Sequence, residues 1–220
     1  MMIFDLRENV VEQTSYKAIG RNLEHYYAIL VHLSTYFTDS VIVDLGTNRG
    51  GSAAALSYNK SNEVYTFDIA INDEAISLFE QYENITYLIG NCIENNWNGQ
   101  PQINPPGLRI RPLKSEREIF LSSELIFLDI DPHDGIQEAA VLDFLVENDY
   151  KGIMVCDDIR GGANWQETHG NSESARGMQE FWSNISLPTY DVTDNKYGSG
   201  SGTGIICFDN QEVLYDVRLP

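Results

Sequence analysis

Two apolar runs in this chain end in carboxylates. Leu125-Ile126-Phe127-Leu128 leads into Asp129-Ile130-Asp131-Pro132-His133-Asp134-Gly135, and Met154-Val155-Cys156 leads into Asp157-Asp158. If both runs are neighbouring parallel strands, about 4.8 Å apart, Asp129 or Asp131 approaches Asp157 and Asp158 at one rim of a sheet. Ionised carboxylates packed there repel, and the usual resolutions are protonation, solvation or a hard divalent cation. Oxygen donors without a His or Cys cage suit Mg²⁺, Ca²⁺ or Mn²⁺ better than Zn²⁺. His133, and His169 in a later loop, titrate near neutrality and are the candidates for a general base.

A second constellation lies earlier, where Val41-Ile42-Val43-Asp44-Leu45-Gly46-Thr47-Asn48-Arg49-Gly50-Gly51-Ser52 runs from an apolar strand into a glycine-punctuated turn, followed by Ala53, Ala54 and Ala55. The small residues open a helix whose first amide groups face whatever sits above the glycines. A dinucleotide fingerprint requires G-x-G-x-x-G to bring backbone onto a pyrophosphate. Here the spacing is D-x-G-x-x-x-G, with Asn48 in place of the second glycine. Asp44 would repel a pyrophosphate but can pair with a cationic amino group. Asp68 ends the next strand about 24 residues later, where nucleoside-binding sheets place the acid that accepts both ribose hydroxyls.

Together these residues resemble the class I S-adenosylmethionine (SAM) methyltransferases, with Asp44 to Gly50 as motif I and Asp68 as the second motif. The resemblance implies a cofactor site formed by Asp44, Gly46, Thr47, Asn48, Gly50, Ser52, Asp68 and Asp129. Asn91 and Cys92 match by position as adenine contacts. The paired acids are similar to the metal site of metal-dependent O-methyltransferases of the catechol and macrolide-sugar types. That likeness implies Asp129, Asp157 and Asp158 as ligands of Mg²⁺ or another hard divalent cation, with Asp131 as a substitute or supporting acid. In those families the ion grips two neighbouring hydroxyls of the acceptor and lowers the pKa of one. Asp129, His133 and His169 are then the catalytic candidates.

The expected reaction is methyl transfer from SAM to a hydroxyl of a sugar or small polar diol. Alternatives on the same fold are a cephalosporin-hydroxylase-like enzyme and a non-catalytic SAM-fold binding module. A nicotinamide oxidoreductase is disfavoured by the missing fingerprint. Asp131-Pro132-His133-Asp134 resembles the Asp-Pro-Pro-aromatic motif of amino-group methyltransferases, but it lacks the second proline and the aromatic that stacks on a planar amine.

Strand patterns at 41–44, 63–69, 85–89, 125–130, 152–156, 190–193 and 203–209 position these residues. They alternate with helical patterns at 52–58, 74–82, 136–148 and 173–185. Such alternation implies parallel strands with crossover helices on both faces. Only a Gly/Ser turn separates the last two strands, so the final one runs antiparallel. The expected fold is a Rossmann-like, doubly wound α/β sheet of seven mostly parallel strands with an antiparallel last strand. An amphipathic helix over 21–37 belongs to an N-terminal helical cap of about 1–38, and 212–217 adds a short edge strand. Length favours one domain over 1–220.

Two segments read as insertions. Residues 95–112, rich in Asn, Pro and Gly, lead into Arg109, Arg111, Lys114 and Arg117, a basic cluster that reads either as a solvated loop with compensating charges or as a dock for an anionic substrate or partner. Residues 160–170, with glycines at both ends and Trp165, read as a lid above the carboxylates. With 33 acids against 14 bases the net charge is −19, which disfavours nucleic acid. Cys92, Cys156 and Cys207 lack metal spacing and read as small buried hydrophobes. With no leader pattern and no membrane-length apolar run, a soluble cytoplasmic protein acting on a small molecule or glycan is expected. The resemblance adds assembly as a homo-oligomer.

Overall fold

The computed structural model describes residues 2–6, 27–70, 72–91, 116–160, 172–193, 201–209 and 215–219. Its main sheet has seven strands: β2 (Val41–Leu45), β3 (Glu63–Asp68), β4 (Ile85–Ile89), β5 (Ser123–Leu128), β6 (Ile153–Asp157), β7 (Thr189–Asp191) and β8 (Thr203–Cys207). The spatial order is β4-β3-β2-β5-β6-β8-β7. The first five run parallel, and β8 is antiparallel to both β6 and β7. This is the expected Rossmann-like sheet of seven mostly parallel strands, strand reversal included.

Period-two alternation along the strands builds a core on each face. Ile42, Val64, Phe127 and Val155 face α1 (Tyr27–Ser34), α2 (Gly51–Leu56) and α3 (Asp73–Phe79). Val43, Phe67, Ile126 and Met154 face α4 (Glu116–Ser122), α5 (Ile136–Glu147) and α6 (Ser172–Asn184). Helix α2 is buried along its whole length, which is why it consists of Gly, Ser, Ala and Leu; a β-carbon on Gly51 would stand 2.8 Å from the Tyr27 ring. Asn72 caps α3 by accepting from the Glu74 amide at 2.9 Å, and Asp73 and Glu74 complement the dipole of its first turn.

Two expectations require correction. The N-terminal segment is not purely helical: Met2–Asp5 forms β1, which pairs in parallel with β9 (Tyr215–Arg218) as a separate two-stranded sheet. The C-terminal strand is therefore not an edge of the main sheet. Phe4 stacks on Tyr215 at 5.4 Å, so burial of these two rings ties both ends of the chain to the face carrying α1. Helix α4 was also unexpected. Its seven residues hold only one buried apolar pair, Ile119 and Phe120, too short a stretch to show a period.

Candidate functional site

Strand order reverses direction between β2 and β5, and the crevice beyond the carboxyl ends of strands at such a point is where open α/β sheets bind ligands. A cavity of about 650 Å³ lies there. Its walls come from the ends of four strands: Gly46 and Asn48 after β2, Asp68 to Ala70 after β3, Gly90 and Asn91 after β4, and Asp129 to Asp131 with His133 after β5.

The glycine turn is locked to its neighbours by backbone. Gly46 (φ 97°) and Thr47 both donate to the Phe67 carbonyl, at 3.0 and 3.2 Å, while the Asp129 amide donates to the Leu45 carbonyl at 3.0 Å. A β-carbon on Gly46 would fall 1.7 Å from the Asp129 carbonyl oxygen. The first glycine of the pattern is therefore required by both its conformation and its neighbour. Gly50 (φ 84°) opens α2, where an added carbon would meet the Phe79 ring at 2.8 Å.

Among the residues expected to hold a cofactor, Gly46, Asn48, Asp68, Asn91 and Asp129 line the cavity. Asp44, Thr47, Gly50 and Ser52 are buried and outside that lining. Asp44 instead lies beneath the turn, fully buried, opposite Thr66 in the register of β2 and β3. The Thr66 hydroxyl donates to Asp44 Oδ2 at 2.5 Å, and the Thr47 and Thr66 hydroxyl oxygens are 2.6 Å apart. Burial pushes the Asp44 carboxyl up to about 7, against the opposing pull of the Thr66 and Ser52 hydroxyls. The one sequence signal for this chain of hydroxyls was Thr66, a polar residue at a buried position of β3. Asp68 is held by two amides, accepting from Asn48 at 2.8 Å through Oδ2 and from Ala70 at 3.2 Å through Oδ1. Each carboxylate oxygen keeps a further lone pair for a ligand hydroxyl.

On the opposite wall, the Asp134-Gly135 turn that follows His133 is fixed by α6. A β-carbon on Gly177 would lie 1.9 Å from the Asp134 carbonyl oxygen. His133 Nδ1 stands 3.4 Å from Asp158 Oδ2, and Nε2 stands 3.3 Å from Asp131 Oδ1 and 3.8 Å from Asp129 Oδ1. Burial, followed by the charges of Asp157 and Asp158, holds the Asp129 carboxyl well above the usual carboxylate range. The potential ligand atoms of Asp129, His133 and Asp158 lie within 4.8 Å of one another. Asp157 is not in that convergent set. It sits at the end of β6, buried, and its Oδ1 accepts from the Thr203 hydroxyl at 3.5 Å.

Other expected positions separate. Arg117 donates to the Asn148 side chain and lies over the Phe144 ring at 5.7 Å, on the helical layer. Cys156 and Cys207 are buried free thiols. Cys92, His169, Trp165, Arg109, Arg111 and Lys114 lie outside the described residues. Sequence reasoning missed Glu138, which is 2% exposed and whose carboxylate oxygens meet no well-formed hydrogen bond among the described residues. Its place in the first turn of α5 carried no signal of that burial.

The order of the sheet and its one reversed strand are those of the Rossmann-like fold of class I methyltransferases, and solved structures share it. A methyltransferase of Podospora anserina with S-adenosylhomocysteine bound matches with a TM-score of 0.56 at 11% identity, over 91% of this chain and 89% of that one. An O-methyltransferase of Bacillus cereus in complex with S-adenosylhomocysteine matches at 0.54 and 13%, over 92% and 94%. The O-methyltransferase TomG of Streptomyces achromogenes, in complex with SAM, matches at 0.55 and 12%, over 91% of both chains. At such identities the likeness is one of fold. No protein-family profile and no curated protein matches the chain. Among the described residues no helix is long and apolar enough to cross a membrane.

Proposed function

We propose that this protein is a SAM-dependent O-methyltransferase acting on a hydroxyl of a small polar acceptor, a sugar or another diol, with a divalent cation assisting. The observation that carries the reading is the single cavity with Gly46, Asn48 and Asp68 on one wall and Asp129, Asp131 and His133 on the other. The first wall suits a nucleoside. Asp68 accepts the ribose hydroxyls, and the exposed Ile69 offers an apolar face to the base. The neighbours that hold SAM or S-adenosylhomocysteine support the same assignment.

The second wall suits a hydroxyl that must lose its proton. Two carboxylates and an imidazole converge there, a donor set that fits a divalent cation held by Asp129 and Asp158. When bound, such an ion lowers the pKa of a hydroxyl that approaches it. The protein's own part is positioning: the Gly46 turn and Asp129 interlock through backbone, so cofactor wall and acceptor wall hold one relative geometry. In the transfer the C–S bond of the sulfonium breaks as the acceptor oxygen forms the new C–O bond, S-adenosylhomocysteine leaves as the neutral thioether, and the hydroxyl proton passes to solvent water at the rim, where the Asp131 side chain is 97% exposed. A Mg²⁺-supplemented assay with methyl-labelled SAM and a panel of sugars and vicinal diols tests this. Labelled methyl ether that disappears in Asp129→Asn is expected, and label on nitrogen acceptors alone would contradict it.

A further inference from the structure

The resemblance in sequence puts Asp157 in the ligand set, but the folded chain brings a different third group to the place. We propose that His133 is the third protein ligand of the cation, with Asp129 and Asp158, and that the site therefore takes a first-row transition ion through a nitrogen donor. This rests on the cation-assisted reading above and refines it.

Geometry comes first. Donors about 2.1 Å from a common ion stand about 3.0 to 3.5 Å apart. His133 Nδ1 is 3.4 Å from Asp158 and its opposite nitrogen, Nε2, is 3.8 Å from Asp129, while one ligand atom from each of the three residues lies within 4.8 Å of the others, so a shift of the side chains by about 1 Å brings one imidazole nitrogen and both carboxylates onto one ion. Asp157 has no such convergence and is engaged by Thr203.

Charge is the second, independent observation. Asp129, Asp131 and Asp158 pair with no Lys or Arg among the described residues; His133 is the partner of all three. The Asp158 side chain is 9% exposed and His133 is 13% exposed. Asp131 is solvated, but Asp129 and Asp158 are drawn together around the His133 ring at the buried side of the rim, and buried carboxylates are protonated, paired or coordinate metals. An imidazole among carboxylates also changes the chemistry of the site. Oxygen-only sets suit Mg²⁺, Ca²⁺ and Mn²⁺, whereas imidazole adds affinity for the later first-row ions Fe²⁺, Co²⁺ and Zn²⁺.

The test uses the full chain loaded with Mn²⁺ and reads electron spin-echo modulation, which detects nitrogen bound directly to the ion. Titrations with Mn²⁺, Co²⁺ and Mg²⁺ accompany it. Nitrogen coupling is expected in the unmodified protein and absent in His133→Gln. That substitution is expected to lower Co²⁺ affinity at least tenfold and leave Mg²⁺ affinity within about threefold. Asp157→Asn is expected to keep both coupling and affinity.

Mn²⁺ that binds without nitrogen coupling, or coupling that survives His133→Gln, overturns the proposal. So does metal affinity lost in Asp157→Asn but kept in His133→Gln. Absence of any metal binding overturns it together with the cation-assisted step. A titration of the same samples with S-adenosylhomocysteine reports separately on the methyltransferase reading and on the integrity of each variant.

Discussion

The Asp129 carbonyl oxygen occupies the space a side chain on Gly46 would need, 1.7 Å from the position of its β-carbon. The glycine turn after β2 and the acid-bearing end of β5 are thus one interlocked unit.

Gly46→Ala breaks that unit. The added carbon displaces the end of β5, and the φ of 97° penalises any L side chain. A loss of about 1–3 kcal/mol is expected from backbone conformation alone, and more from the overlap. Gly90→Ala is the control, since among the described residues its carbon would meet only Glu116 Oε1 at 3.7 Å, and its stability should stay within about 0.5 kcal/mol. Urea unfolding of both variants compares them; equal stability would show that the contact is not tight.

Glu138 gives stability a pH dependence of definite sign. Burial is the main cause that raises its carboxyl from 4.5 to about 7. The folded state then binds more protons than the unfolded state between those values, so stability falls as pH rises through that window. The full cost of keeping the group charged is present above pH 7. Glu138→Gln should be more stable than the parent at pH 8, by up to about 3 kcal/mol, and nearly equal to it at pH 4. Melting temperatures across that range check this, and a constant difference at all pH values would contradict it.

Gly177→Ala separates the two walls of the cavity. The added carbon would push on the Asp134 carbonyl oxygen, 1.9 Å away, and move the turn that carries His133. Metal affinity should fall at least about tenfold, or 1.4 kcal/mol, while S-adenosylhomocysteine affinity changes little. Parallel titrations decide between this and a uniform loss of both.

Arg117 should be silent in binding. Its guanidinium is spent on Asn148 and the Phe144 ring, so Arg117→Ala is expected to cost about 0.5–1 kcal/mol of stability. Affinity for cofactor and acceptor should stay unchanged in calorimetry. A weaker acceptor would return Arg117 to the ligand side.

The sheet was legible because its strands are near-continuous apolar runs with acids and glycines at their ends. Residues 85–89 could be bounded to the residue, and the Gly/Ser turn before Thr203 announced the reversed strand. The pairing of β1 with β9 was not legible, because it joins short strands from opposite ends of the chain and no local pattern specifies a partner so distant. Within the site, spacing alone put Asp44 and Asp68 at strand ends. It could not say that Asp44 turns under the glycines to Thr66 while Asp68 faces the cavity. Nor could it distinguish Asp157 from Asp158: consecutive residues leave a strand in different directions, and the φ of 60° at Asp158 sends that carboxylate to His133.

The cofactor site is tested most directly by calorimetric titration with S-adenosylhomocysteine, on the parent protein and on Asp68→Ala, with NAD as the competing ligand. Saturable binding of one S-adenosylhomocysteine per chain, weakened at least about tenfold in Asp68→Ala and not reproduced by NAD, is the predicted result. No binding of S-adenosylhomocysteine to the folded parent protein, or NAD binding in its place, would contradict the account.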